Sequence, residues 1–255
     1  LTFPSQHTVA CRLDKGSLHQ AALIDLDSGA LKQVHGIADT LSVNGETMLV
    51  GSKRGSVFAY TEQARYLWNA LEGEQLPGLV SGAPVLSELT ADAFSLRSAK
   101  TGTLLYRVDR TERQDPAAVA WQPFLGGFLV QEADGIRVFD ETGRQTSTIP
   151  HGWTPLAVAN PDAGSAATVA SLPVLVHSES AEAAAFDPAT GQELWHAKLS
   201  NPYAITAIGF GTKIAIVATG GGGTGAGYDW FDCYSGHGGT IAGDFSKLPA
   251  ILGTD

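Results

Sequence analysis

Residues 185–199 read AFDPATGQELWHAKL, an order of residue types that specifies two strands joined by a tight turn. Phe186 belongs to an apolar run, and Asp187-Pro188-Ala189-Thr190-Gly191 supplies residues that accept tight-turn dihedrals. From Glu193 to Leu199 outward polar residues alternate with inward apolar ones, the period of a strand. Together these are the signature of a β-hairpin.

The same grammar recurs along the chain around residues in the phase of Gly191, namely Gly29, Ala64, Gly102, Gly143 and Gly236. The surrounding stretches are LIDLDSGALKQV, VFAYTEQARYLW, LRSAKTGTLLYRV, VFDETGRQTSTI and WFDCYSGHGGTI, and Trp68 and Trp195 each stand four residues after their anchor. Successive anchors are 35, 38, 41, 48 and 45 residues apart, near the roughly 40 to 50 residues that a four-stranded propeller blade needs. A lone hairpin cannot bury its apolar face, so the six copies must stack.

Residues 185–199 resemble the repeat of PQQ-like (quinoprotein-type) β-propellers, with the pattern A-x-D-x-x-T-G-x-x-x-W: Ala185, Asp187, Thr190, Gly191 and Trp195 fill every place. Asp25, Ser28 and Gly29 fit with Gln33 in place of the Trp, Thr101 and Gly102 fit with Tyr106, and Asp232, Ser235 and Gly236 fit with Thr240. The copy at Gly143 is one residue short before its glycine. The resemblance spans almost the whole chain, and its non-enzymatic, BamB-like members are the nearest in kind. It implies an all-β protein, one domain over residues 1–255: a single β-propeller of four-stranded blades, six of them with seven as the alternative, closed by its terminal strands. Quinoprotein dehydrogenases of this general fold use calcium-binding acidic and amide residues and, in many, a disulfide between adjacent cysteines. The present chain has no adjacent cysteines and is far shorter, so no cofactor is expected.

Composition bounds the rest. An unbroken repeat with no Pro/Ser-rich linker reads as one large all-β domain, and charged residues at 16% with 30 glycines disfavour helical classes. The net charge of −10, with no basic cluster larger than Lys53-Arg54, makes nucleic acid and anionic membrane poor partners. No apolar run reaches the length of a membrane span, so no membrane insertion is expected. A start at Leu1, without an initiator Met or signal-like core, reads as a mature protein or excised ectodomain.

In chain order, a strand at His7–Leu13 and a turn at Asp14-Lys15-Gly16 precede the first repeat hairpin, His19–Val34, giving three strands. Leu248–Leu252 is the expected donor of a fourth by ring closure. The second blade reads Ile37–Val43, Glu46–Lys53, Gly55–Thr61 and Ala64–Leu71, with Asn44-Gly45 as its first turn. The third spans about Pro77–Arg110, with Pro84 at the start or edge of its second strand. The fourth spans about Ala117–Ile149, with turns at Gly126-Gly127 and Asp134-Gly135. Extended loops follow at Asn160–Ala167 in the fifth blade and Thr219–Gly227 in the sixth, and the latter shares its face with the connections between blades.

Candidate chemistry is sparse. Gly220, Gly222 and Gly225 spell G-x-G-x-x-G after a strand, but the following Tyr228–Tyr234 alternates like a strand and offers no helix N-terminus to a pyrophosphate. Asp25, Asp187 and Asp232 hold one repeat phase, far apart around a ring, and read as turn-fixing carboxylates. Trp68 and Trp195 read as packing between blades, whereas Trp153 lies in a connection between them. The seven histidines show no H-E-x-x-H pairing and the two cysteines cannot alone make a thiolate zinc site, so no metal residue and no catalytic residue is assigned. Cys11 and Cys233 fall on opposite sides of the closure seam. A disulfide there would close a loop of 222 residues and contribute at most ~5 kcal/mol; two buried free thiols are the alternative.

The sequence therefore points to an exported, extracellular or cell-envelope module for protein or glycan partners, with Arg54, His151, Trp153 and Tyr203 on the face that carries the blade connections. The rival class is a hydrolase or lyase for carbohydrate or lactone substrates with its site in the central funnel. Two measurements check the architecture. Far-UV circular dichroism should show negligible helix, and deleting the last eight residues should lower the melting temperature sharply; an unchanged melting curve contradicts closure through Leu248–Leu252.

Overall fold

The computed structural model of the protein describes residues 7–35, 38–44, 47–52, 56–70, 83–111, 119–155, 171–177, 179–200, 206–210, 214–219 and 227–242. These residues form six antiparallel sheets with strands in chain order and contain no helix. The first sheet is β1 (Thr8–Lys15), β2 (Leu18–Asp25) and β3 (Leu31–His35). The second is β4 (Thr40–Asn44), β5 (Thr47–Gly51), β6 (Val57–Thr61) and β7 (Tyr66–Ala70), and the third β8 (Val85–Leu89), β9 (Ala93–Ser98) and β10 (Leu104–Asp109). The fourth holds β11 (Trp121–Phe124), β12 (Gly127–Glu132), β13 (Gly135–Asp140) and β14 (Gln145–Ile149). The fifth holds β15 (Thr154–Pro155), β16 (Val174–His177), β17 (Glu182–Phe186) and β18 (Glu193–Lys198). The sixth is β19 (Thr206–Phe210), β20 (Ile214–Thr219), β21 (Gly227–Asp232) and β22 (Gly238–Ala242).

Several expected boundaries shift. β1 runs on through Lys15 before it turns, and Pro84 precedes β8. Phe124 pairs with Gly127 and Glu132 with Gly135, so the turns are Leu125-Gly126 and Ala133-Asp134, one residue earlier than expected. Gly127 is a strand residue because of its neighbour: a Cβ there would stand 2.1 Å from the Phe139 carbonyl oxygen. Pairing of Asn44 with Thr47 likewise puts Asn44 in the strand. The loop at 160–167, most of the glycine loop and the segment 248–252 lie outside the described residues.

Two compact units divide the chain, 1–118 with the first three sheets and 119–255 with the last three. Within each, the core lies between neighbouring sheets. Ala10, Ala21 and Leu23 of the first sheet pack with Met48, Val50 and Tyr60 of the second, and Leu49, Val57 and Ala59 meet Leu86 and Ala99 of the third. In the other unit Leu129, Ile136 and Val138 meet Leu175, Ala184 and Phe186, and Val174, Ala183 and Ala185 meet Phe231 and Cys233. A middle strand covered on both faces has no polar side, hence the unbroken runs Met48-Leu49-Val50 and Ala183-Ala184-Ala185-Phe186, all buried. Each fully buried Leu or Val contributes on the order of 2 kcal/mol.

At the end of every outer hairpin one residue takes left-handed backbone: Gly29, Ala64, Gly102, Gly143, Gly191 and Gly236 have φ between 64° and 83°. These are the six anchors of the repeat. In the fullest turns the N–H of the anchor donates to the carbonyl of the residue four earlier, as Gly191 does to Asp187 (2.8 Å) and Gly236 to Asp232 (2.9 Å). The Asp side chain closes the loop: Asp25 accepts from Ser28 N–H and hydroxyl, Asp187 from Ala189 N–H and Thr190 hydroxyl, and Asp232 from Ser235 N–H and hydroxyl. Backbone N–H groups, chiefly of Ser28, Ala189 and Ser235, hold these three carboxyls below the ordinary aspartate range. A depressed carboxyl stabilises above its unfolded value, about 3.9, and that contribution fades as pH falls through the folded value.

Four of these turns, two in each unit, also receive the preceding sheet. The indole N–H of Trp68 donates to the Lys100 carbonyl (2.9 Å) and that of Trp195 to the Cys233 carbonyl (2.9 Å). Trp195 lies so close that a Cβ on Gly236 would sit 2.7 Å from its ring. Where the tryptophan is missing a smaller donor replaces it: Lys32 Nζ reaches the Gln63 carbonyl (3.0 Å), and the Thr146 and Ser147 hydroxyls reach the Pro188 carbonyl (2.6 and 2.9 Å). Trp195→Ala should therefore cost about 3 kcal/mol in urea unfolding. Trp195→Phe, which removes the N–H and keeps a ring, should cost about 1 kcal/mol; equal losses would show that the hydrogen bond, and not the packing, carries the contact.

Candidate functional site

The fourth and fifth sheets are joined by a short described connection. β14 ends at Ile149, and Pro150, which has no N–H to donate, leads into the turn at His151 and Gly152. His151 is exposed and Trp153 half-buried, packed on the cluster between the two sheets. The indole is held edge-on by two rings, Phe186 at 5.3 Å and 73° and His177 at 5.4 Å and 89°. Gly152 (φ 110°) has to be glycine, since a Cβ would stand 2.8 Å from Nε2 of His177.

His177 closes β16, and its Nδ1 accepts the Ser180 N–H at 3.3 Å. A ring nitrogen that accepts carries no proton, so the neutral ring is protonated on Nε2. These side chains, with Gln131 near the end of β12, Thr154 and Glu179, line a cleft of about 400 Å³. Gln131 shares a strand face with Leu129, a member of the intersheet cluster, which sets the amide at the rim of that interface. Among the described residues, none of the side chains of Gln131, His151, Thr154 and Glu179 is engaged in a hydrogen bond or ion pair. Three other described histidines are paired with carboxylates: His7 meets Asp27 (3.1 Å), His19 meets Asp14 (2.6 Å) and His196 meets Glu193 (2.6 Å). The Glu193 carboxylate accordingly raises the His196 pKa.

The structure thus brings together two of the four expected face residues, His151 and Trp153, while Arg54 and Tyr203 lie outside the described residues. Gln131, Thr154, His177 and Glu179 are additions. A signal for His177 and Glu179 was available, because loops between second and third strands share a face with the blade connections and these two residues flank such a loop.

The structure shows no disulfide between Cys11 and Cys233: each is a buried free thiol, one in each compact unit. The Cys233 side chain is committed to the cluster between the fifth and sixth sheets, beside Phe231 and Val174. Burial pushes both thiols up, that of Cys233 to about 12. Among the described residues no group of three His, Cys, Asp or Glu could hold a metal. Gly220, Gly222 and Gly225 lie outside the described residues, and the described chain resumes at Gly227 as the strand β21. Asp25, Asp187 and Asp232 each close their own turn. Asp229, buried in the sixth sheet, accepts from Ser200 N–H (2.7 Å) and the Thr240 hydroxyl (2.7 Å) and is likewise structural.

Among curated proteins none matches the chain. Among solved structures, BamB from Moraxella catarrhalis is similar at 15% identity over 90% of this chain and 76% of that one, with a TM-score of 0.44. The C-terminal WD40 domain of Sif2 is similar at 12% identity over 92% and 68%, with a TM-score of 0.49. A chain of the mitotic checkpoint complex is similar at 13% identity over 87% and 72%, with a TM-score of 0.43. The family model described as outer membrane protein assembly factor BamB matches residues 25–219. That span takes in all of the repeat turns except the last, and the all-β sheets with their left-handed anchors have the build that the repeat requires. The chain belongs to this BamB-type family of PQQ-like β-propellers.

Proposed function

We propose that this chain is a rigid interaction module of the cell envelope, which recognises its partner through the cleft between the fourth and fifth sheets. One observation carries the reading: a cleft of about 400 Å³ keeps four polar side chains unengaged around a clamped tryptophan. Intramolecular partners satisfy the other described histidine–carboxylate pairs on the surface, and polar groups left open around an aromatic are what a recognition site needs. The description of the matching family, an outer membrane assembly factor, supports the envelope as the compartment. In this reading the two units complete one propeller, closed through the strand expected at 248–252.

The test uses the full-length protein in the cells that make it. Osmotic-shock fractionation should recover it with the envelope, and a photo-crosslinker at His151 should trap one recurrent protein or glycoconjugate that Trp153→Ala no longer retains. Recovery in the cytoplasm rejects the compartment; identical crosslinks in wild type and Trp153→Ala reject the cleft.

A further inference from the structure

We infer that the cleft between the fourth and fifth sheets takes a neutral oligosaccharide, with a sugar ring against Trp153 and its hydroxyls shared among Gln131, His151, Thr154, His177 and Glu179. The inference rests on the reading of this cleft as the binding site of the module.

The lining chooses the ligand class by elimination. Among the described residues no Lys or Arg lines the cleft and Glu179 does, so a phosphate or carboxylate ligand would meet no cation there and one like charge. An apolar ligand would strip water from the amide, the hydroxyl, the two imidazoles and the carboxylate without replacing any hydrogen bond. A metal bound at Nε2 of His177 would need the ring proton on Nδ1, the atom that accepts the Ser180 N–H. An extended peptide is best held by a free backbone ladder, whereas this cleft is walled by side chains at a seam between two sheets.

Hydroxyl groups meet what remains. His177 offers a donor at Nε2, Glu179 accepts, and Gln131 and Thr154 do either, so a ligand rich in hydroxyls, which both donate and accept, can satisfy all of them. The indole provides an apolar surface for the C–H face of a sugar. Phe186, His177 and the missing side chain of Gly152 hold that surface in place before any ligand arrives. A cleft of about 400 Å³ lies within the range of small-ligand sites.

Calorimetric titration of the full chain with maltotriose, cellotriose and triacetylchitotriose tests this, with a sugar phosphate and trialanine as controls. At least one trisaccharide should bind saturably with a millimolar or tighter Kd, and Trp153→Ala and Glu179→Ala should each weaken it about tenfold or more. Glu179 is exposed, so its variant keeps the fold if the tryptophan variant does not. Absence of saturable binding by all three sugars overturns the inference, as does binding that survives Glu179→Ala and Trp153→Phe unchanged, or tighter binding of either control. Should the crosslinked partner prove to be a protein held through Trp153 while no sugar binds, this inference falls and the interaction reading stands; if Trp153→Ala changes neither, both fall.

Discussion

Everything in this structure depends on a turn that one sheet builds and its predecessor occupies. The outer hairpin of each sheet ends in a left-handed residue, and the loop around it is closed by its own polar side chains, so the turn is rigid before anything packs on it. Its carbonyls then face outward as acceptors for the sheet before it. Trp68 and Trp195 use the place fully, with an N–H bond and a ring over the glycine, while Lys32 and the Thr146–Ser147 pair use only the hydrogen bond. Within each unit these contacts link consecutive copies, so register passes from one sheet to the next without long-range pairing.

The candidate site follows from a seam whose aromatic comes from the connection and not from the repeat phase. Between the fourth and fifth sheets no tryptophan occupies the repeat phase; Ser147 stands there and bonds Pro188. The aromatic of this seam is Trp153, supplied by the connection between the sheets and packed against Phe186. It serves the core on one edge and the cleft on the other, and among the described residues the side chains of Gln131, His151, Thr154 and Glu179 beside it make no hydrogen bond or ion pair. Rigid sheets carrying open polar groups on their connecting segments are the division of labour expected of a scaffold that recognises something else.

Repeat phase made much of the fold legible. Ala64 was identified as an anchor by its spacing alone, and it has φ 64° although a non-glycine residue there costs about 1 kcal/mol. The acidic positions read as turn-fixing because they shared a phase, and their hydrogen bonds agree. What failed was local ambiguity: Gly126-Gly127 reads as a turn by composition, yet Gly127 is there to let two backbones approach. The cysteines were legible only in part. Position in the chain said which sheets they occupy but not which way each side chain faces, and Cys233 faces the fifth sheet. His151 and Trp153 were legible as connection residues and His177, at the end of its strand, through the loop it adjoins, whereas Gln131 sits inside an ordinary strand and joins the cleft only through stacking.

The central claim is that a repeat glycine serves both its own turn and the neighbour seated on it, and two glycines separate these roles. Gly29 and Gly191 have nearly the same backbone, φ 69° and 71°. A Cβ on Gly29 meets nothing within 4 Å, while one on Gly191 would lie 2.5 Å from the Thr148 carbonyl oxygen of the preceding sheet. Equilibrium urea unfolding of the two alanine variants should give a loss of about 1–2 kcal/mol for Gly29→Ala, the conformational cost alone, and a clearly larger one for Gly191→Ala. Equal losses would contradict the account.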